Sequence, residues 1–526
     1  MNAFFKDKPA FIVPEHELAG VDSHVCIARL MANNKLVLMA RNGVEWEPLI
    51  VRGIETGFWD TRSNPNTDYD EVFRNYRKMG ANCCLFMLHW GDFEPEDGCF
   101  DFTFPDGIVA AAKAHGVKVW FVLFTHHEPK ASEPDFWAYH LESDSEGDHA
   151  VQWARHEDGN TVNTIAGLRA LKPRVEIYPC YSNPAVFSRI LRAIRALARH
   201  YRHSDTVIGL QVGNEEGYTY REEGQGWDSD FNPHTLAMYE DWKRSTGKAS
   251  WHAFKMWSVK WWWRQFTTAF HEEDPYKPTS FNLAGGQPEA GYPLWIHFEG
   301  TDASIYGDGN IDVVGTMFYG RDKEAIWENL DQRYDYIYRL PILIPSEIGL
   351  GPRWGQTAVA QKYVLDTLRR GAQGFSLYMY GELVGAGGEL TAYGGKFRQW
   401  TDMLACCEGI LWSGVPGWGS VAVSAAGGVA SCGCLHAPDG STLGIINFPG
   451  FFNKDDNQPV ESADLDIDMV GVEDATYSLE LLTDGVMHEH CTVSLLCRET
   501  RRISIAGVAE SSVVFLKLQK IETKEN

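Results

Sequence analysis

Eight short apolar runs, separated by amphipathic stretches, constrain this chain more than any other feature. They are Leu49–Glu55, Asn82–Trp90, Val117–Thr125, Thr206–Asn214, Pro278–Leu283, Ile311–Tyr319, Pro341–Glu347 and Gly374–Tyr380. Each is nearly continuous in apolar residues, as a strand covered on both faces must be. Helical spacing lies between them. Val72, Phe73, Tyr76 and Met79 share one face, and Gly80 stands where a helix would stop. A wider stripe from Phe187 to Tyr201 follows Asn183–Pro184, a cap and a first-turn proline. Eight βα units predict an α/β fold, a closed (β/α)8 TIM barrel. An open doubly wound sheet is the alternative. It normally carries a glycine-rich phosphate turn after its first strand, and Gly53-Ile-Glu-Thr-Gly57 is not one.

The ends of the chain read differently. Val25–Leu30 and Leu36–Ala40 flank Asn33–Asn34 and predict an N-terminal β-hairpin packed on the barrel. After about Trp418 the helical period disappears. Val421–Ser424, Thr442–Phe448, Tyr477–Leu482, Cys491–Leu496, Arg502–Ile505 and Ser512–Leu518 read as short strands of a C-terminal all-β, sandwich-like domain. The expected division is 1–48, 49–412 and 413–526. Two barrel connections, 126–182 and 216–250, far exceed the roughly 2–6 residues usual for βα loops. In this fold such loops belong over an active site.

Composition narrows the function classes. Lys and Arg total 47 against 71 Asp and Glu, a net charge of −24. That surface repels phosphate backbones and anionic lipid, so neither nucleic acid nor membrane is an expected partner. No apolar run approaches the ~18 residues a membrane helix needs. Met1–Ala10 lacks the basic and apolar segments of a signal peptide. The eleven cysteines are irregularly spaced, and Cys83–Cys84 and Cys406–Cys407 sit within apolar runs. This pattern predicts reduced thiols and a cytoplasmic location. Aromatic residues make up 13% of the chain, which suits sugar stacking as well as core packing.

Polar residues at strand ends are the catalytic candidates of a barrel enzyme. The fourth run ends Gly209-Leu-Gln-Val-Gly-Asn-Glu-Glu-Gly217 and the seventh Pro341-Ile-Leu-Ile-Pro-Ser-Glu-Ile-Gly349. Each delivers a glutamate, Glu215 and Glu347, from an apolar strand into one mouth. Singly, such a residue is as well explained as a helix cap. As a pair, the two suit glycoside cleavage, where one carboxyl protonates the leaving oxygen and the other attacks the anomeric carbon. Thr125-His-His-Glu-Pro129 raises a metal-dependent alternative, but adjacent histidines on an extended chain point opposite ways. Neither a metal nor a cofactor is expected.

Asn214–Glu215 is the only Asn–Glu dipeptide in the chain, and it falls at a strand end. The segment from Met79 to Phe102 holds Trp90, Glu94–Pro95 and Gly98-Cys-Phe-Asp-Phe102. Over roughly residues 45–400 the chain resembles clan-A retaining glycoside hydrolases. The Trp90–Phe102 segment resembles β-galactosidases of glycoside hydrolase families 35 and 42. Tyr239-Glu-Asp-Trp-Lys-Arg-Ser-Thr-Gly247 and the Trp-rich stretch after it are similar to family 42. The strand-four motif departs from the usual family 35 form, and the cysteine zinc cluster of some family 42 members has no counterpart.

The resemblance implies that Glu215 is the acid/base and Glu347 the nucleophile. It implies that Asn214 hydrogen-bonds the sugar 2-hydroxyl and that Tyr319 supports the nucleophile. Trp90 and Trp354 would stack on the sugar, His126 would donate to it, and Tyr380 and Glu382 would reach further hydroxyls. Glu94 is expected to hold the turn after the second strand. The implied activity is that of a retaining exo-β-glycosidase, a β-galactosidase acting on an oligosaccharide or β-glycoside. Another clan-A β-glycosidase or endo-β-glycanase is the alternative, and a homo-oligomer is left open.

Overall fold

The computed structural model describes residues 11–57, 66–125, 154–155, 157, 179–213, 230–283, 311–318, 347–349, 357–417, 421–425, 431–447, 462–471, 474–484, 486–509 and 512–521. Eight parallel strands form one closed ring. In chain order they are β5 (Val51–Thr56), β6 (Cys83–His89), β7 (Lys118–Phe124), β8 (Val207–Gln211), β9 (Thr279–Leu283), β10 (Val313–Phe318), β11 (Glu347–Gly349) and β12 (Gly374–Tyr378). Gly374–Leu377 pair with Val51–Ile54 and close the ring.

Helices follow six of these strands among the described residues. They are α1 (Tyr69–Lys78), α2 (Thr103–Ala114), α3 (Pro184–Tyr201), the pair α4 (Pro233–Thr246) and α5 (Trp251–His271), α6 (Thr357–Leu368), and α7 (Tyr380–Leu383) with α8 (Ala392–Ser413). Local chemistry sets their limits. The Asp68 carboxylate accepts from the backbone N–H of Asp70 and Glu71 at the start of α1. That helix stops at Gly80, whose φ of +76° suits glycine. Asn183 caps α3 through the N–H of Ala185, with Pro184 in the first turn.

Two apolar layers stabilise the ring. One lies between strands and helices, with Phe73, Phe86, Phe121, Ile190 and Trp263 fully or almost fully buried. The other fills the barrel with Leu85, Met87, Trp120, Val122, Phe124 and Tyr378. A Cβ at Gly209 would lie 2.8 Å from the Trp120 ring, so only glycine admits that indole. Trp120 then donates to the Ser280 hydroxyl at 3.0 Å.

The N-terminal hairpin is part of a larger sheet of β1 (Ile12–Pro14), β2 (Val25–Arg29), β3 (Leu36–Asn42) and β4 (Glu45–Pro48). The β2 and β3 strands pair antiparallel from Val25–Ala40 to Arg29–Leu36, and Asn34 turns the chain at φ 61°. Val25, Ile27 and Leu38 join the barrel-filling layer at the N-terminal ends of its strands. Lys35 Nζ donates to the carbonyls of Leu411 and Gly414, and the Asn33 amide to that of Ser413, at the last turn of α8. The Gln373 side chain accepts from Leu38 N–H at 2.8 Å.

Beyond α8 the chain forms two antiparallel sheets. The first has the order β13 (Val415–Gly417), β15 (Ser431–His436), β16 (Thr442–Asn447), β21 (Val514–Lys520), β18 (Ala475–Thr483), β19 (Val486–Leu495). The second joins β14 (Val421–Ala425), β17 (Ser462–Val470) and β20 (Thr500–Ala509). Leu465, Ile467 and Met469 of the second share one core with Leu479, Val493 and Leu516 of the first. Strands β15 and β17 lie outside the segments expected from the sequence.

Candidate active site

The carboxyl ends of the ring strands define the mouth. The described part of β11 begins at Glu347, where the sequence reading ended the strand, and runs on to Gly349. Its backbone register is informative: Glu347 pairs with Met317 of β10, and Gly349 with Tyr378, the last residue of β12. Glu347 thus stands one residue short of the end of β10. It is also two residues before Gly349, whose backbone pairs with that of Tyr378 at the end of β12. Strand β8 ends at Gln211, and the described chain stops at Gly213. Asn214 and Glu215 follow directly and lie outside the described residues, as do His126, Tyr319 and Trp354. His126 is the residue after Thr125, and Tyr319 the residue after β10.

Three other candidates are described. Trp90, just beyond β6, is only 1% exposed and its indole N–H donates to Glu94, which is fully buried. The Glu94 carboxylate also accepts from Gly98 N–H at 2.7 Å and pairs with the Arg192 guanidinium of α3. Arg192 extends to Asp97 as well. Glu94 thus holds the turn after β6, as expected, and Trp90 is a core member of that turn. Tyr380 accepts from the Asn75 amide at 3.0 Å and stacks on Tyr76, with ring centroids 5.9 Å apart, in the layer between strands and helices. Glu382 is half-buried in α7.

Polar groups the sequence reading overlooked also line the barrel near its mouth. Glu55 is 1% exposed and continues the inward phase of Val51 and Gly53 on β5. His89, at the end of β6, stacks on Phe124 with ring centroids 5.1 Å apart, and its backbone N–H donates to the Asp92 carboxylate. Gln211 pairs with the inward Val122 and is buried. Each is a polar residue inside an apolar run, in phase with inward neighbours. The polar interruption of each run is visible in the sequence, whereas the inward phase comes from the strand register.

The connection expected as a loop over 216–250 contains α4. Asn232 caps that helix through His234 N–H, Pro233 opens it, and Gly247 closes it in the left-handed region at φ 70°. Asp230 joins this connection to the one after β7. One carboxylate oxygen accepts from the N–H of Arg155 and of Asn232, and the other from the Thr235 hydroxyl at 2.6 Å. Phe231 N–H donates to the Arg155 carbonyl at 2.8 Å. Burial pushes the Asp230 carboxyl above the ordinary range. Thr125 and Tyr181, at the two ends of the first connection, share a hydrogen bond of 2.8 Å. No group of three His, Cys, Asp or Glu side chains converges on a metal position among the described residues.

Comparison with known proteins adds an independent observation. Residues 61–287 match the model of glycoside hydrolase family 42, β-galactosidase. That span includes Trp90–Phe102, Asn214–Glu215 and Tyr239–Gly247, and supports the resemblance drawn from them. The β-galactosidase BbgII of Bifidobacterium bifidum is 22% identical over 222 residues, 41% of this chain and 28% of that protein. Two solved β-galactosidases share the fold. That of the psychrophilic Marinomonas ef1 aligns with a TM-score of 0.50 at 13% identity, covering 68% of this chain and 60% of that one. That of the Antarctic haloarchaeon Halorubrum lacusprofundi aligns with 0.51 at 14% identity, covering 67% and 58%. The chain therefore spans less than two thirds of each of these relatives.

Proposed function

We propose that this chain is a retaining exo-β-glycosidase that releases terminal β-linked galactose from an oligosaccharide or β-glycoside. The single observation that carries the reading is the register of Glu347. Its backbone pairs with that of Met317, one residue short of the end of β10, and the strand runs on to Gly349 beside the end of β12. Asn214–Glu215, directly beyond β8 and inside the span matched to family 42, supplies the second carboxylate. In this reading Glu347 attacks the anomeric carbon while Glu215 protonates the leaving oxygen. Glu215 then takes a proton from the water that releases the sugar. A separation of about 5–5.5 Å between the two carboxyls belongs to this route.

Asn214, His126, Tyr319, Trp354 and Glu382 contact the sugar or the nucleophile. The burial of Trp90 and the packing of Tyr380 favour support of the rim for those two rings. Residues 49–412 act as the catalytic barrel, and 413–526 as an appended β-sandwich. All eleven cysteines are free thiols, which agrees with a reducing, cytoplasmic setting. No helix of the described residues is long and apolar enough to cross a membrane.

A panel of nitrophenyl glycosides tests the sugar. β-Galactoside turnover should exceed that of β-glucoside, β-mannoside and α-galactoside, and should survive a chelator. Proton NMR during hydrolysis should show the β-anomer first. The α-anomer appearing first would overturn the double-displacement route. Loss of turnover in chelator, restored by zinc, would return attention to His126 and His127.

A further inference from the structure

A cleft of about 480 Å³ opens where three distant parts of the chain meet. Glu15 and the β2–β3 turn form one wall, the last two turns of α8 a second, and β21 with the β15–β16 turn a third. Because α8 ends there against Asn33 and Lys35, the cleft lies at the opposite end of the barrel from the carboxyl ends of β8 and β11. Its volume falls within the range of roughly 300–1,000 Å³ typical of small-molecule sites.

The lining has a particular chemistry. Trp412 is half-buried and packs against both the strand–helix layer and the core of the N-terminal sheet, so its ring is fixed. Its indole N–H has no hydrogen-bond partner among the described residues, nor has the exposed Gln519 amide. Acceptors predominate. Glu15 spends one oxygen on Met31 N–H, Asp439 one on Ser441 N–H, and Glu408 stands 3.5 Å from Arg52. Lys517 is already paired with Glu480 at 3.1 Å, so it does not offset them. Three carboxylates exclude an anion. A ligand must then donate several hydrogen bonds, accept a few, and lay an apolar face on an indole beside Leu30 and Pro438. The C–H face and hydroxyl rim of a neutral pyranose meet all of these demands.

We propose that this cleft is a second carbohydrate-binding site, taking one neutral pyranose unit against Trp412, apart from the catalytic mouth. It stands independently of the hydrolytic reading, since no residue of that reading lines it.

Cys406 provides a direct probe, because its thiol is exposed on the cleft wall. Maleimide labelling of the full chain, mapped by peptide mass spectrometry, would compare Cys406 with the exposed Cys99 and Cys497. Methyl 1-thio-β-galactopyranoside, which resists hydrolysis, should slow Cys406 at least about threefold at tens of millimolar and leave the other two unchanged. Trp412→Ala should remove the protection, with kcat and KM on nitrophenyl β-galactoside unaltered. Gln519→Lys, on an exposed strand position, should remove it too, and serves if the tryptophan variant fails to fold. Equal labelling with and without the sugar would overturn the proposal. So would protection that survives both substitutions, or protection by putrescine and not by the sugar, which would mark a site for organic cations.

Discussion

At the N-terminal end of the barrel, His271 and Asp312 face each other at 2.7 Å, and each side chain is 1% exposed. Asp312 also accepts from the N–H and hydroxyl of Thr279, the first residue of β9. Beside them Lys277 is paired with Asp274 and donates to the Tyr201 carbonyl at the end of α3. At the carboxyl end, Glu94 is equally buried, yet its partners Trp90 and Gly98 belong to a turn that frames the mouth, and Arg192 holds that turn to α3. Both ends contain buried charge. The lower charges tie strand starts to helix ends, whereas the upper ones hold the shape of a rim. Damage below should therefore appear as lost stability, and damage above as lost turnover.

The sharpest test of that division is Glu347→Gly. It should lower kcat by about 10⁴ or more and leave the melting temperature nearly unchanged. External azide should restore some turnover and give the α-glycosyl azide, whereas Glu215→Ala with azide should give the β-product. Products in the opposite sense would exchange the two roles.

Asp312→Ala comes next and should do the reverse. Breaking a buried pair typically costs about 3–5 kcal/mol, read by thermal melting, with kcat per folded molecule preserved. A large loss of kcat in the folded fraction would dissolve the distinction between the two ends.

Glu94→Ala should fall between them. It leaves the Trp90 and Gly98 N–H groups without their acceptor and Arg192 with Asp97 alone, at a cost of about 1–3 kcal/mol. Glu94→Gln should recover part of that stability while kcat/KM on galactoside stays reduced. Full recovery of kcat/KM would make the residue purely a fold element.

The smallest effect is a pH slope. Burial alone would push the His271 imidazole down, but Asp312 and the Asp274 carbonyl hold its pKa above the ordinary value. A base whose folded pKa is raised contributes stability that is complete below its unfolded value near 6.5. That contribution is lost as pH rises through the folded value. Melting temperature should therefore fall with alkaline pH by more in this protein than in His271→Gln. Parallel curves would remove the imidazolium from the network.

Most of the ring was legible because parallel strands buried on both faces leave long apolar runs, and Cys83–Leu88 is one without interruption. The strand β17 was not read, although Leu465, Ile467 and Met469 alternate with Asp464, Asp466 and Asp468 in a perfect period of two. Aspartate is disfavoured in strands, and here its carboxylates are held by Arg502, Ser504 and Gly507 N–H of β20. The helix α4 was hidden by its polar exposed face, though its cap, proline and terminal glycine repeat the signals of other helices. For the site, Glu94 was legible as a turn holder, since its position in a Glu–Pro turn is local. The inward phase of Glu55 and Gln211 depends on register with neighbouring strands, which one run of sequence does not contain.

The anchoring of the N-terminal sheet has a consequence for synthesis on the ribosome. Leu38 waits for Gln373, 335 residues later, and Asn33 for Ser413, 380 residues later. At about 5–20 residues per second, the first hairpin emerges roughly 20–75 s before the last helix it caps exists. Throughout that interval Val25, Ile27 and Leu38 have no finished barrel to enter. Residues 25–40 are thus made before the barrel and secured only after it, and a nascent chain stalled before residue 373 carries these strands with no barrel to close.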